Sequence, residues 1–371
     1  MLAGASMGPE APMAAICAAT AGLMSRKVFR QKSRNVVRKH TIMGVAGGLS
    51  AFFGAPLGGS IFALEALSRF GLEYFEHLIE AVFAGEVCVA MFRKLAGLPM
   101  GQIWEIIPPS PAIKEAQPYM IILGGAIGVL GAGIAAVWAN FHWRIMGLFG
   151  RLGLIDDENK MAVPRVLVGA CALSVLGMLV PHTMFWGEKE IGAIATLSPA
   201  SDLPNVWPTA GLLGFEMDSM RNCIIVGVCK LVAVTFTFAG GYRGGYIFPL
   251  FAAGAAFGRA LCFAIPDLSP ILSTLCFAAS INVAITRTAL SSTMVLAFLS
   301  GEQMALPAIL ASSVMSLFLT GYMPFIKSQI ARSDIDFSLY YDPQQTKVRD
   351  PVPGHTRSKS APLFDVFDER K

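Results

Sequence analysis

Two five-residue stretches, GPEAP at residues 8–12 and GYIFP at residues 245–249, decide how this chain folds. Both have the pattern Gly-x-x-x-Pro, and an apolar segment rich in small residues follows each of them. Proline suits the first turn of a helix, and glycine lets the backbone turn tightly ahead of it. Each stretch therefore predicts the start of a helix that interrupts an apolar region.

The composition indicates the environment of these helices. Of the 371 residues, 54% are hydrophobic and only 15% are charged, and the mean hydropathy is +0.58. Soluble domains are about 25% charged, because charged side chains cover their surface. The excess of apolar residues therefore excludes disordered, collagen-like, disulfide-scaffold and nucleic-acid-binding proteins as the leading class. It predicts an all-α, polytopic integral membrane protein.

The apolar runs vary in length. A helix needs about 20 apolar residues to cross a bilayer. Two runs, residues 119–140 and 304–326, carry no charge. A third run, residues 166–187, carries none except at His182. Other runs are shorter and are broken by glycine or proline. Irregular backbone at membrane depth is tolerated only where it is buried or lines a cavity. The pattern is typical of a transporter or channel with half-helices, and the interruptions are the candidate substrate site.

The chain also contains an internal repeat. APLGGS at residues 55–60 follows the first motif at nearly the distance at which TALSST, residues 288–293, follows the second. The loop after the first helix is strongly basic, whereas residues 259–270 carry only Arg259 and Asp267. Because positive residues favour the cytoplasmic side, the two repeats are predicted to be inverted, with a site between them near the midplane. A nucleic-acid patch is the less favoured alternative for the basic loop, whose bases are Arg26, Lys27, Arg30, Lys32, Arg34, Arg38 and Lys39.

The chain divides into two unequal parts. Residues 1–332 are predicted to form one membrane domain, and residues 333–371, with interleaved charges and prolines, a short and mostly disordered cytoplasmic tail. In this tail, RSKSAP at residues 357–362 has the form of a phosphoserine motif read by 14-3-3 proteins, with Ser360 as the modified residue. A chance match is the alternative.

The helix starts suggest the chemistry of the site. The N-terminal end of a helix carries unpaired N–H groups and partial positive charge, so two such ends can hold an anion without a cationic side chain. Glu10 lies at one of these ends. Its carboxylate can occupy the anion site when ionised and leave it when protonated. The alternative is an acid that only complements the helix dipole.

These residues resemble a known family. GPEAP is similar to the G-x-E-x-P motif of CLC chloride channels and proton/chloride exchangers, and GYIFP is similar to their G-x-F-x-P motif, with Ile247 at the usual Phe position. Residues 53–65 and 285–296 resemble the helices that follow in the two repeats of that family. All four blocks occur in the family's order, so the resemblance covers residues 4 to about 332.

The resemblance implies a fold, a site and an assembly. The fold is the CLC-type inverted repeat, with half-helices meeting at the midplane. Glu10 matches the gating glutamate, and the backbone N–H groups of Ile247 and Phe248 match donors to chloride. Family members are homodimers, so a homodimer is expected. The remaining expected anion-site residues are Gly8, Pro9, Gly245 and Tyr246.

Three departures from the family bear on function. In the exchangers of this family, the second glutamate of a Glu-Glu pair passes protons. Here the pair is Glu65-Ala66, so the first acid is kept and the proton-passing position is alanine; loss of that acid usually accompanies channel behaviour. The family's central tyrosine aligns with Ile326. The family's G-S-G-x-P motif is not found, so the early helices of the first repeat are expected to be missing and the chain to be N-terminally incomplete.

The sequence therefore predicts a voltage- or pH-gated chloride channel in an unspecified plasma or intracellular membrane. The alternatives are a proton/chloride antiporter of the same family, or a truncated subunit that does not conduct by itself. An enzyme is least favoured, since the sequence has no Walker loop, HExxH motif or nucleophile elbow. No catalytic residue, cofactor or metal site is predicted, and the transported ion is chloride.

Overall fold

The computed structural model describes residues 4–67, 72–98, 113, 115–155, 160–188, 190–203, 211–323 and 325. This part of the chain is helical throughout, without a β-strand in the described ranges. Ile326, Ser360 and the predicted domain boundary at residue 332 lie outside the described residues. The α-helices are α1 (Glu10–Lys27), α2 (Arg34–Phe53), α3 (Pro56–Leu67), α4 (Leu72–Ala96), α5 (Pro118–Arg151), α6 (Ala162–Leu179), α7 (Glu190–Thr196), α8 (Met220–Ala239), α9 (Ile247–Ala264), α10 (Pro270–Thr286), α11 (Ala289–Ser300) and α12 (Leu306–Leu319).

Within the described ranges, four helices are long and apolar enough to cross a membrane: α5, α6, α8 and α9. Large apolar side chains also lie on the outer surface; Ile79 and Phe318 are each 81% exposed. An exposed apolar surface of this kind suits contact with lipid and not with water. The chain is an integral, multi-pass membrane protein.

The two most completely buried helices of the core are α9 and α10. Residues 247–260 of α9 and residues 271–286 of α10 are buried without exception. The two helices pack closely because a Cβ atom at Gly254 would lie 2.5 Å from the Cα of Ala278, and one at Gly258 would lie 2.6 Å from the Cα of Thr274. Small residues allow such close approach of helix backbones in membranes. The helix that carries the second motif is therefore held rigidly at the centre of the molecule.

The apolar runs fold in different ways. The run at residues 119–140 lies within α5, which is 34 residues long. The run at residues 166–187 leaves the α-helical state after Leu179, because Pro181 has no N–H to donate and starts a short 3-10 helix, Pro181–Thr183. In the run at residues 304–326, α12 covers only 14 residues. Length without charge was therefore an incomplete guide to spanning helices.

Of the seven bases predicted to lie in one loop, only Arg30 and Lys32 lie between α1 and α2; the others belong to the end of α1 and the first turns of α2. The two helices lie side by side, and α2 also packs against α4 and α3. Lys39 near the start of α2 forms an ion pair with Glu80 of α4. Helix α2 thus packs against all the other described helices of the first repeat, α1, α3 and α4. Its C-terminal end lies at the candidate site.

Candidate functional site

The two Gly-x-x-x-Pro motifs lie against each other. The N–H of Gly8 donates to the carbonyl of Gly245 at 2.9 Å, and the N–H of Gly245 donates to the carbonyl of Gly8 at 2.7 Å. This isolated antiparallel bridge joins the residues that precede α1 and α9. It brings together the N-terminal ends of two helices that are more than 200 residues apart in the sequence.

Both glycines lie directly against the Glu10 carboxylate. A Cβ atom at Gly8 would overlap the carboxylate of Glu10, and a Cβ atom at Gly245 would lie 2.5 Å from Oε2 of Glu10. A side chain at either position would displace the Glu10 carboxylate from its place. The glycines therefore leave room for the carboxylate between the two backbone segments.

The side chain of Glu10 occupies this space. The residue is only 2% exposed, and its Oε1 accepts a hydrogen bond from the N–H of Phe248 at 3.4 Å. The N–H of Ile247 also interacts with the carboxylate. Its Oε2 is buried and has no hydrogen-bond partner among the described residues. The carboxylate thus lies at the N-terminal end of α9, where a helix favours negative charge.

The first turn of α9 is positioned by aromatic packing. Phe248 is fully buried, and its ring contacts those of Phe52 and Phe53 at the end of α2, with centroids 5.6 and 5.8 Å apart. Gly54 ends α2 in the left-handed backbone conformation, and the chain turns there toward α3. The sequence did not mark these phenylalanines as site residues, although the resemblance covered their segment.

Tyr246 points into a different space from Glu10. Its ring stacks on Phe238 with centroids 3.9 Å apart, and it meets the edge of Phe325 at 5.7 Å. It lines a cavity of about 740 Å³ that also touches Ala11 and Pro12 at the start of α1. The cavity therefore adjoins the N-terminal ends of both helices.

Two arginines line the same cavity. The guanidinium of Arg165 donates to the carbonyl of Ala239 at 2.6 Å and to that of Phe238 at 3.3 Å. Arg243 is exposed and lies in the loop before α9. Positive groups at the wall of a cavity attract anions toward it. The cavity is suitable as an anion vestibule beside the site.

The structure brings most predicted site residues together. Gly8, Glu10, Gly245, Ile247 and Phe248 meet at one point, as the preceding contacts describe. Pro9 is the residue before α1, and its carbonyl accepts the N–H of Met13 at 3.0 Å. Ile326 lies outside the described residues, so the proposed loss of a tyrosine donor stays a prediction.

Glu65 and Ala66 lie at the end of α3, apart from this point. The carboxylate of Glu65 accepts hydrogen bonds from the N–H of Leu290 at 3.0 Å and from the N–H of Ser291 at 2.9 Å. It also accepts one from the hydroxyl of Ser291 at 2.6 Å. Glu65 therefore caps the N-terminal end of α11, a contact between the two repeats that the sequence did not predict.

A buried lysine near the site was also missed. Lys230 in α8 is completely buried, and its ammonium donates to the carbonyls of Thr183, Met184 and Phe185 at 2.9 to 3.1 Å. It holds the turn that follows the 3-10 helix, and the N–H of Phe185 in turn donates to the carbonyl of Gly4. The available signal was a charge in the middle of an apolar helix, whose other charged residue, Arg221, lies in the first turn.

Comparisons with known proteins agree with this geometry. The family model described as voltage gated chloride channel matches residues 1–321. The H(+)/Cl(-) exchange transporter ClcA of Salmonella paratyphi A is 26% identical over 350 residues, which is 90% of this chain and 67% of that protein. The chain thus spans about two thirds of the length of that relative.

Two solved structures share the fold. A CLC-type fluoride/proton antiporter superposes with a TM-score of 0.65 at 20% identity, over 88% of this chain and 73% of that chain. A slow cyanobacterial Cl-/H+ antiporter gives a TM-score of 0.68 at 13% identity, over 93% and 74%. Together with the family model, which covers both glycine motifs and the helices between them, these likenesses place the chain in the voltage gated chloride channel (CLC) family.

Proposed function

We propose that this chain forms the anion-transporting part of a proton-coupled chloride transporter, with Glu10 as the gate. Members of the family are transporters and channels, so the chain is not an enzyme. The observation that carries the proposal is the position of the Glu10 carboxylate at the N-terminal end of α9, held by one long hydrogen bond while its second oxygen lacks a partner among the described residues.

The geometry supports competition between the carboxylate and a halide for the same N–H groups. When the Glu10 carboxylate is bound at the N-terminal end of α9, it occupies the place of an anion at the N–H of Phe248. Proton uptake from water neutralises the carboxyl group, weakens its attraction to the helix end, and lets it leave. A chloride ion then takes the vacated place. Loss of the proton returns the charged carboxylate to the helix and expels the ion.

Weak binding is important for transport. A cationic side chain at the site would hold chloride strongly, whereas backbone N–H groups bind it and release it again. Lys230 is a buried cation in this region. Its ammonium donates to three backbone carbonyls and not to the anion site. The site thus relies on a helix end, as a transport site requires.

The exchanger is favoured over the passive channel by the relatives, which are an H(+)/Cl(-) exchange transporter and two antiporters. Ala66 argues for the channel, because an acid at this position passes protons in the exchangers that the sequence resembles. The channel is therefore the second candidate. Voltage gating and a homodimer remain proposals drawn from the family.

The test is transport by the full chain in liposomes. Chloride efflux and proton uptake are recorded together, with a pH electrode outside vesicles loaded with chloride. For the exchanger we expect proton movement against its own gradient, driven by chloride. Chloride flux without coupled protons would replace the exchanger by the channel, and absence of chloride flux would contradict both.

The role of Glu10 is tested by Glu10→Gln in the same assay. Because glutamine has no charge to gain or lose, we expect proton coupling to disappear while chloride flux continues and no longer depends on pH. Glu302→Gln, which removes a partly exposed carboxylate between α11 and α12, is the matched control and should behave as the unmodified chain. Proton coupling that survives in Glu10→Gln would refute the gate.

A further inference from the structure

A histidine lies on the wall of the cavity beside the anion site. His142 belongs to α5, and the residue is only 3% exposed. The cavity has a volume of about 740 Å³, which leaves room for on the order of 20 water molecules at about 30 Å³ each. Histidine is the side chain that changes its charge near neutral pH. Among the described residues that line the cavity, His142 is the one histidine, and no carboxylate is among them.

The cavity connects His142 with the two helix ends that form the anion site. Ala11, the residue that follows Glu10, lines the same cavity at the start of α1. The ring of Phe325 contacts that of His142, with centroids 5.0 Å apart, and meets the ring of Tyr246 at 5.7 Å. Tyr246 is the residue directly before α9. One aromatic ring therefore lies between His142 and the residue that precedes α9.

The hydrogen bonds around His142 determine which of its ring nitrogens carries the hydrogen. Nδ1 lies 3.4 Å from Oγ1 of Thr235 in α8. The one proton of that hydroxyl is donated to the carbonyl of Leu231 at 3.1 Å, and the indole N–H of Trp138 donates to the same hydroxyl oxygen at 3.0 Å. The oxygen is therefore an acceptor toward His142, so Nδ1 carries the hydrogen. Nε2 of the neutral ring then keeps a lone pair that can accept a proton.

Aromatic rings surround the imidazole. The ring centroids of Trp138, Phe325 and Trp143 lie 5.4, 5.0 and 5.8 Å from that of His142. Aromatic rings within about 6 Å attract a cation through their π-electrons. This attraction offsets part of the free energy needed to charge a buried side chain. The surroundings of His142 thus hold the ring in one orientation and favour a positive charge on it more than an aliphatic core would.

The other charged and titratable groups of this region do not exchange protons near neutral pH. The cavity is lined by further groups from α6 and from the segment before α9, namely Arg165, Tyr242, Arg243 and Tyr246. Tyrosine and arginine keep their protons at neutral pH. On α8, Lys230 directs its ammonium to three backbone carbonyls. On α5 itself, Arg144 follows His142 by two residues and is exposed.

We propose that His142 is a proton-transfer residue of the transporter and exchanges protons with Glu10 through water in the cavity. This inference rests on the proposed proton-coupled function, and it provides the proton acceptor that Ala66 cannot be. In the transfer, the O–H bond of the protonated Glu10 carboxyl group breaks, water carries the proton, and an N–H bond forms at Nε2. Glu10 becomes a carboxylate and the ring becomes an imidazolium. The imidazolium then releases this proton to the cavity water, and the reverse sequence protonates Glu10.

Thr235 is a positioning residue in this arrangement, because its hydroxyl oxygen keeps the hydrogen of the imidazole on Nδ1. Thr235→Val removes this acceptor and preserves the shape of the side chain. The indole N–H of Trp138 still has the carbonyl of Leu231 as its acceptor, at 2.8 Å. We expect the ring to become a mixture of both tautomers in this variant, and Thr235→Ser to restore the single tautomer.

The first experiment records chloride efflux and proton uptake together in liposomes for the full chain and for His142→Asn. Asparagine can still donate to Thr235, but it has no group that accepts a proton near neutral pH. We expect the number of protons moved per chloride to fall roughly tenfold, while chloride flux continues. His40→Asn is the matched control, because Nδ1 of His40 also meets a hydroxyl, that of Ser25, at 2.9 Å, but between α1 and α2. The control should keep the ratio of the unmodified chain.

The second experiment needs no transport. Nitrogen NMR of the purified chain, with isotope-labelled histidine, reports which ring nitrogen of His142 carries the hydrogen, and the signal is assigned by its loss in His142→Asn. We expect the hydrogen on Nδ1. A hydrogen on Nε2 of the neutral ring would overturn the proposal, because that nitrogen could not accept a proton.

The Thr235 variants test the proposal even if His142→Asn does not fold. In Thr235→Val about half of the rings would present a hydrogen at Nε2, so the number of protons moved per chloride should fall roughly twofold. Thr235→Ser should restore it. A ratio that does not follow the tautomer population in these two variants would overturn the role of His142.

The outcomes separate His142 from the gate. In a chain that couples protons to chloride through Glu10, an unchanged ratio in His142→Asn overturns the role of His142 alone. Loss of chloride flux in His142→Asn, in a protein that unfolds at the same temperature as the unmodified chain, would place His142 in the anion path and would also overturn proton transfer. Absence of proton coupling in the unmodified chain, or coupling that survives in Glu10→Gln, would instead contradict the proposed function.

Discussion

Glu10 and Glu65 both accept hydrogen bonds at the N-terminal end of a helix, but they are held with different strength. Each belongs to the first repeat, and each binds the N-terminal end of a helix of the second repeat. Glu65 accepts three hydrogen bonds of 2.6 to 3.0 Å at the start of α11. Glu10 accepts one of 3.4 Å at the start of α9, and its other oxygen lacks a partner among the described residues.

The difference separates a structural contact from a movable one. Hydrogen bonds to a charged group are stronger than those between neutral groups, and short ones are the strongest. Three such bonds fix Glu65 as a clamp between α3 and α11. One long hydrogen bond from Phe248 and a weaker interaction with the N–H of Ile247 hold Glu10 less firmly than three short bonds hold Glu65. Two glutamates at similar places in the fold thus have different roles: Glu65 holds two helices together, and Glu10 can leave its helix.

The largest expected effect is on stability, from Glu65→Ala. The substitution leaves the first N–H groups of α11 without their acceptor, and we expect a loss of roughly 2 to 4 kcal/mol in the free energy of unfolding. The measurement is thermal unfolding of the purified chain in detergent. Glu302→Gln is the control and should change stability by less than about 0.5 kcal/mol. An equal, small effect of both substitutions would show that Glu65 is no clamp.

The sequence predicted the Glu10 side of this comparison well. Glycine and proline at fixed spacing around an acid have few uses besides a helix start, and the two similar motifs already suggested that the helix ends meet. The structure agrees: Gly8 and Gly245 bond to each other, and Glu10 lies between them. Local backbone chemistry was enough for this part of the site.

The Glu65 side was not predictable in the same way. Its partner Ser291 is 226 residues away, and nothing in the segment around Glu65 indicates a capping role at a distant helix. The same holds for Lys230, whose partners depend on how the turn after α6 packs on α8 and α9. Contacts that arise only from the tertiary fold leave no periodic signal in one sequence.

A smaller effect is expected from Ser291→Ala, which sharpens the comparison by removing one of the three bonds. The hydroxyl of Ser291 is buried and donates to Glu65 at 2.6 Å. The two backbone N–H donors remain, so we expect a loss of about 1 to 1.5 kcal/mol in the free energy of unfolding. Ser201→Ala is the matched control, because the hydroxyl of Ser201 also donates to a carboxylate, that of Asp202, but is exposed. Its effect should stay below about 0.5 kcal/mol; an equal loss in both variants would argue against the buried clamp.

The smallest effect on stability is expected from Glu10→Gln. The substitution replaces the buried carboxylate by a neutral amide of the same shape, which keeps an acceptor for the N–H of Phe248 and adds an NH₂ group near the backbone carbonyls. Burying a charge with one long hydrogen bond costs free energy, so its removal offsets the loss of the charge-assisted bond. We expect thermal unfolding to change by less than about 1 kcal/mol, in either direction. A loss as large as that of Glu65→Ala would mean that Glu10 is a clamp of the same kind, and it could then not leave the helix end as a gate must.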